Sequence, residues 1–78
     1  METDEFATRE VLVINHKQAD GKLELLYHEA IDIMGAAQTL RELLAREQMQ
    51  PTGKRGTVSA RFTVITENYW NQLEDVQR

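Results

Sequence analysis

The longest periodic stretch of the chain runs from Asp32 to Gln48, and it limits the folds open to the rest. Apolar residues recur there at spacings of three and four, which is the period of an amphipathic α-helix. Asp32 follows Ile31 and can cap this helix by accepting hydrogen bonds from the first free amides. The remaining segments must supply the surface that covers the apolar stripe. The stripe consists of Ile33, Ala36, Ala37, Leu40, Leu43 and Leu44, with Glu47 at its end.

Two apolar runs before this helix, Val11 to His16 and Leu23 to His28, predict a β-hairpin. The Asp20-Gly21 pair between them is a strong hairpin signal. If these two residues form the whole turn, Lys17 faces Glu24 across the strands and opposite charges pair. That register places two apolar sets on one face, namely Leu12, Ile14 and His16 with Leu23, Leu25 and Tyr27.

A three-residue loop that ends in Gly21 is the alternative. It sets His16 opposite Glu24 and moves Val11 and Val13 to the face of Leu23, Leu25 and Tyr27, so the apolar residues are divided between the two faces. We predict the two-residue turn, because it keeps the apolar sets together.

The segment after the helix begins with a loop marked by Pro51, Gly53 and Gly56. Thr57 to Thr66 then alternates apolar and polar residues, which predicts a strand with one buried face. The last segment, Glu67 to Gln77, has two interpretations: a short helix capped by Thr66 or Asn68, or a continuation of the strand through Trp70. The face predicted to be buried carries Val58, Ala60, Phe62 and Val64.

These elements predict an α+β fold of order ββαβ, with a C-terminal helix in one of the two interpretations. A three-stranded, mostly antiparallel sheet packs on one main helix. Because the helix crosses from the second strand to the third, we expect the third strand to pair with the first, in the order 2-1-3. Residues 1–8 are acidic and contain one large apolar residue, Phe6, so we interpret them as a flexible leader and residues 9–78 as a single domain.

Composition narrows the class of protein. The 78 residues include no cysteine, so neither a disulfide framework nor a thiolate metal site is available. A core of this size is near the lower limit for independent stability, which favours association. The outer face of the hairpin is half apolar, and together with the aromatic terminus it suggests a homodimer. The net charge of −4 disfavours nonspecific binding to nucleic acid or to an anionic membrane. With no apolar run of membrane-spanning length and no signal-peptide pattern, we expect a soluble cytoplasmic protein that binds no membrane.

No group of residues carries a specific chemistry. His16 and His28 are the only histidines, and the preferred register places them on opposite faces of the hairpin. Ser59 is the only serine, so the three roles of a serine hydrolase have no obvious candidates. We therefore predict that the protein is not an enzyme, with no catalytic residues, no metal site and no cofactor.

The basic residues of the last third form one candidate binding site. Lys54 and Arg55 lie between Gly53 and Gly56, but the segment lacks the Ser or Thr after the lysine and the following helix of a phosphate-binding loop. A solvated connection is the simpler interpretation. The functional alternative is a patch of Lys54, Arg55 and Arg61 that binds an acidic partner or a nucleic-acid backbone.

Tyr69 and Trp70 form the other candidate site. Adjacent aromatic residues near a terminus either close the core or form a protein interface. Stacking on nucleic-acid bases is a third interpretation, which is weakened because the neighbours Glu67, Glu74 and Asp75 would repel phosphates. We predict a protein–protein interaction module, a small inhibitor or adaptor of the kind common in phages and mobile elements, with a protein partner and with binding residues Lys54, Arg55, Arg61, Tyr69 and Trp70. The alternative function is a nucleic-acid-binding module that uses the basic loop from Lys54 to Arg61.

Overall fold

The computed structural model describes residues 7–74. Its sheet has the order β2-β1-β3, and both pairs are antiparallel, so the predicted α+β fold and strand order are confirmed. Of the predicted leader, Thr8 already belongs to β1, while residues 1–6 with Phe6 lie outside the described part, as do residues 75–78. The elements are β1 (Thr8–Lys17), β2 (Leu23–Glu29), α1 (Ile33–Gln48), β3 (Thr57–Thr66) and α2 (Glu67–Gln72).

Side-chain caps fix where the two helices begin. Asp32 accepts a hydrogen bond from Gly35 N at 3.0 Å and caps α1, as predicted. Thr66 accepts one from Tyr69 N at 3.0 Å and caps α2. The chain therefore turns into a helix after Thr66, and the alternative of a strand that continues through Trp70 is wrong.

The turn between β1 and β2 differs from the prediction. Three residues, Ala19 to Gly21, separate the closing pair, in which Gln18 N donates to Lys22 O at 2.8 Å. Gly21 has a φ of +94°, the left-handed conformation that ends a three-residue hairpin loop and that glycine adopts without steric cost. Asp20 Oδ1 also accepts from Lys22 N at 2.9 Å. The predicted two-residue turn is therefore wrong.

The three-residue loop reverses the faces of β2 relative to β1. His16 pairs with Glu24, and Val13 pairs with Tyr27. The prediction failed because it chose the register that keeps the apolar sets together on one face. Both faces are covered, one by α1 and the other by α2, so the apolar residues are correctly divided between them.

Two thin clusters form the core. The cluster under α1 consists of Leu12, Ile14, Ala36 and Leu43, flanked by Leu26, Leu40 and Val58. The cluster under α2 consists of Val11, Val13, Tyr27 and Leu73, flanked by Leu25, Ile65 and Trp70.

The helix α1 crosses the sheet diagonally. At its start, His28 of β2 lies near Asp32, with 3.7 Å between Nδ1 and Oδ2. At its end, Glu47 contacts Gly56, just before β3 begins. The far end of β3 is consequently left uncovered, and Phe62 and Val64 are 61% and 58% exposed.

The prediction for β3 was therefore right about which residues share the helix side, but wrong about the burial of Ala60, Phe62 and Val64, whereas Val58 packs under α1. Within residues 7–74, no helix is both long and apolar enough to span a membrane.

Candidate protein-interaction surface

The structure gives Arg55 a structural role. Its Nε donates to Gln50 O and its Nη2 donates to Gln48 O, both at 3.2 Å. These carbonyls lie at the carboxyl end of α1, where helical C=O groups lack partners and a cation is favourable. Arg55 therefore closes α1 and holds the following loop against it.

Lys54 and Arg61 lie in separate places. Lys54 lines an open cleft of about 480 Å³ beside the hairpin turn, together with Asp20 and Glu47. Arg61 pairs with Val13 in the middle of β3, on the sheet face opposite α1. Arg61 lies four positions along the extended strand from Thr57, a distance of roughly 13 Å. The three basic residues of the predicted patch are not brought together into one surface.

Trp70 packs against the cluster under α2, and its ring also accepts a cation. The guanidinium carbon of Arg9 lies 4.7 Å from the ring centroid. Arg9 in turn donates from Nε and Nη2 to the two oxygens of Glu67, both at 3.0 Å, and from Nη1 to Glu29 at 2.6 Å. This network fastens α2 to β1 and β2, so Trp70 contributes to closing the core.

Tyr69 lies beside Tyr27 on the same face. Their hydroxyls are 3.2 Å apart, and their rings meet edge to face with centroids 5.8 Å apart. Burial and the hydrogen bond with Tyr69 raise the pKa of Tyr27 to about 12. Tyr69 itself stays 43% exposed, at the rim of the α2 cluster.

A buried polar cluster that was not among the predicted sites occupies the hairpin end of the sheet. His16 is fully buried, and its Nε2 lies 2.7 Å from Glu47 Oε2. The other carboxylate oxygen of Glu47 accepts from Gly56 N at 2.6 Å. The hydrogen bond from Gly56, followed by that from His16, holds the pKa of Glu47 below its ordinary value. We call His16, Glu47 and Gly56 the hairpin-end cluster.

This cluster joins three elements. It connects β1, the last turn of α1 and the loop before β3, and Gly56 allows the close approach. A Cβ at Gly56 would lie 2.2 Å from Lys17 O.

The sequence offered one signal of this cluster, which is an acidic residue at an apolar-stripe position, since Glu47 continues the spacing of the buried face of α1. His16 and His28 both lie on the α1 face of the sheet, in contrast to the prediction that they lie on opposite faces. His28 is not part of the hairpin-end cluster, because its Nε2 lies 3.0 Å from Thr39 Oγ1.

The hydrogen bonds of β1 identify the backbone groups at the outer edge of β3. Gln18 N donates to Lys22 O and Ala30 N donates to Glu10 O, so even-numbered residues of β1 direct their backbone groups to β2. Odd-numbered residues therefore bond to β3, and Glu67 N donates to Ala7 O in that same register. Within β3 the even-numbered residues, including Phe62 and Val64, direct N–H and C=O groups away from the sheet.

The two edge strands of the sheet differ in protection. The seven residues of β2 include Glu24 and Glu29, and charged side chains discourage pairing with another strand. The ten residues of β3 include one charge, Arg61, and its pairing with β1 is continuous without a bulge. We define the open β3 face as Ala60, Phe62 and Val64 together with this outer edge.

Two apolar residues of α1 extend this surface. Thr39 contacts His28 of β2 and therefore lies on the side of α1 that faces β2. At 100° of rotation per residue, Ile33 and Leu44 lie on the other side of the buried stripe of α1. Both are more than half exposed. The open β3 face is therefore bordered by apolar side chains on its α1 side and by the exposed Glu10, which pairs with Val64, on its β1 side.

Comparison of the chain with family models, with curated proteins and with solved structures gave no significant match. Among residues 7–74, no three His, Asp or Glu side chains are grouped so that they could hold a metal ion.

Proposed function

We propose that this protein is a non-enzymatic interaction module that binds another protein chain through the open β3 face. The observation that carries the proposal is an unprotected ten-residue edge strand beside two exposed apolar side chains, Phe62 and Val64. An extended segment that pairs with such an edge gains main-chain hydrogen bonds, while alternate side chains provide specificity.

The character of the surface supports this mode of binding. Contiguous exposed apolar side chains on a small soluble domain mark an interaction site more often than isolated ones do. Phe62 lies at the centre of β3 with its backbone groups directed outward, so one residue offers both an aromatic anchor and hydrogen bonds. Aromatic anchors of this kind contribute a large share of interface energy.

A small inhibitor or adaptor in the cytoplasm is the role that we propose for such a module. The elements that surround the open β3 face are fixed by caps and by the hairpin-end cluster, so the surface is already formed before binding. A preformed surface loses less conformational entropy when it binds.

A photo-cross-linking experiment tests the proposal, because the probe captures whichever protein chain contacts it. Benzoylphenylalanine replaces Phe62 in one variant and Met34, which is 86% exposed on α1, in a matched control. We expect the probe at position 62 to form covalent protein adducts in cells of the native source and the probe at position 34 to form few. Equal yields at the two positions would contradict the proposal.

A further inference from the structure

We infer that the chain bound on the open β3 face is a second copy of this protein, with the two β3 strands antiparallel around a two-fold axis at Phe62. This inference rests on the proposed function, because it names the partner of the same surface. The two sheets then join into one six-stranded sheet of order β2-β1-β3-β3-β1-β2. Both copies of α1 lie on the same face of that sheet.

The geometry of β3 restricts the possible registers. A two-fold axis perpendicular to the sheet keeps each side chain on its own face. Residues directly opposite each other in an antiparallel pair share a face. The axis must therefore set one residue opposite its own copy, rather than opposite the copy of its sequence neighbour. The midpoint of Thr57–Thr66 lies between Arg61 and Phe62, so an axis at either residue gives the longest ladder. An axis at Arg61 would place two arginines directly opposite each other, which is destabilising. The axis at Phe62 remains.

That axis matches both the backbone and the side chains. Phe62 directs its N–H and C=O outward, so the two copies of Phe62 exchange both hydrogen bonds as a closely bonded pair. Ala60 then faces Val64 of the other copy, a small residue against a larger one. Arg61 faces Thr63 of the other copy on the opposite side of the sheet, so the two arginines are diagonal neighbours roughly 7–8 Å apart rather than directly opposed.

The amount of buried surface agrees with a reversible dimer. Nine residues, 58–66, pair along about 30 Å of strand at ~3.3 Å per residue. With the exposed apolar side chains, each copy buries on the order of 600 Å², near the lower limit of specific interfaces. Within the described residues, the monomer core contains eight buried apolar side chains in two clusters of four, so this contact is a substantial addition.

Sedimentation velocity over a dilution series tests the inference. We expect the wild-type chain to be dimeric at roughly 100 μM and to dissociate as it is diluted through the low micromolar range, as an interface of this size permits. Phe62→Lys should weaken association at least 100-fold, because the symmetry places two lysines opposite each other. The variant should keep the circular dichroism of the wild type, and it should have the same Tm at dilutions where the wild type is monomeric, since the side chain is exposed in the monomer. Met34→Lys adds the same charge elsewhere and should dimerise normally.

A charge-swap mixture tests the axis itself. Phe62→Asp should also be monomeric, and an equimolar mixture of Phe62→Lys and Phe62→Asp chains should restore the dimer. Restoration requires that position 62 of one chain faces position 62 of the other. Failure of the mixture, together with monomeric single variants, would overturn the axis at Phe62.

The remaining outcomes separate this inference from the proposed function. A wild-type chain that is monomeric at every concentration up to about 500 μM, or a Phe62→Lys chain that still dimerises, would overturn the inference. If the photo-probe at position 62 then labels a different protein, the proposed function stands without the second copy. If the probe at position 62 labels no protein more strongly than the probe at position 34 does, the result contradicts both the inference and the proposed function.

Discussion

The hairpin end of the sheet and the open β3 face use opposite chemistry. At the hairpin end, the polar side chains of His16 and Glu47 are buried and bonded to each other, and Glu47 also accepts a hydrogen bond from the backbone N–H of Gly56. Along the far half of β3, apolar side chains are exposed and the backbone lacks a neighbouring strand within the described chain. We therefore expect the stability of the fold to depend on the first region and the proposed recognition to depend on the second.

The diagonal path of α1 produces both regions. Because α1 ends beside the start of β3, Glu47 reaches His16 and Gly56 at the hairpin end. Because α1 begins beside β2, Phe62 and Val64 remain uncovered at the other end. Substitutions in the hairpin-end cluster should therefore change the free energy of unfolding and leave association intact.

The largest loss of stability is expected from His16→Ala. The substitution opens a cavity in a fully buried site and leaves the Glu47 carboxylate without its side-chain partner. We expect the free energy of unfolding to fall by about 2–4 kcal/mol. Urea denaturation measures this, with His28→Ala, which loses a half-buried hydrogen bond, as a control that costs about 1 kcal/mol. Equal losses of unfolding free energy in the two histidine variants would contradict the larger contribution assigned to the hairpin-end cluster.

Gly56→Ala should be the next most damaging change. Its Cβ would lie 2.2 Å from Lys17 O, which is backbone and cannot rotate away. Overpacking of this kind costs about 1–3 kcal/mol. Gly53→Ala is the control, since nothing lies within 4 Å of its added Cβ and the cost there is only the strain of a φ of +90°, about 1 kcal/mol. A Gly56→Ala chain as stable as the wild type would contradict the close packing described for this loop.

Acid should weaken the hairpin-end cluster through Glu47. The hydrogen bonds from Gly56 and His16 lower the pKa of the folded carboxyl below its ordinary value of 4.5. A lowered folded pKa contributes stability that is present above pH 4.5 and is lost as the pH falls through the folded pKa. We expect Glu47→Gln to lower Tm at pH 7 and to make Tm less sensitive to pH between 5 and 3. A Glu47→Gln chain with the wild-type pH profile would exclude this contribution.

The smallest effect is expected from the separated basic residues. Lys54→Glu with Arg61→Glu should change the free energy of unfolding by less than about 0.5 kcal/mol, because both side chains are exposed. Gel-shift assays with single- and double-stranded DNA should detect no binding by the wild-type chain at low salt. Retardation of the DNA that decreases steeply with salt concentration and is absent in the double variant would instead favour the nucleic-acid-binding alternative.

Much of the fold follows from local signals. Asp32 and Thr66 cap helices as their residue types predict, and the strand order follows from the helical crossover. The length of the turn at Gly21 could not be determined from the apolar pattern, because the apolar faces of either register can be buried once a second covering layer exists. That layer, α2, is only six residues long.

The candidate site was less predictable, for a physical reason. Alternation in Thr57–Thr66 identifies which side chains share a face, but whether Phe62 is covered depends on the angle at which α1 crosses the sheet. Likewise, His16 and Glu47 are 31 residues apart and meet only because of that same angle. Arg55 was chosen as a binding residue for its charge, yet its hydrogen bonds to Gln48 O and Gln50 O were invisible in the sequence.

Amide hydrogen exchange at single-residue resolution tests the central claim most directly. The N–H groups of Phe62 and Val64 should exchange within the dead time in dilute protein and become protected in concentrated protein. The N–H groups of Arg61 and Thr63, which face β1, should be protected at both concentrations. Free exchange at Phe62 and Val64 under conditions in which the protein is associated would contradict recognition through the open β3 face.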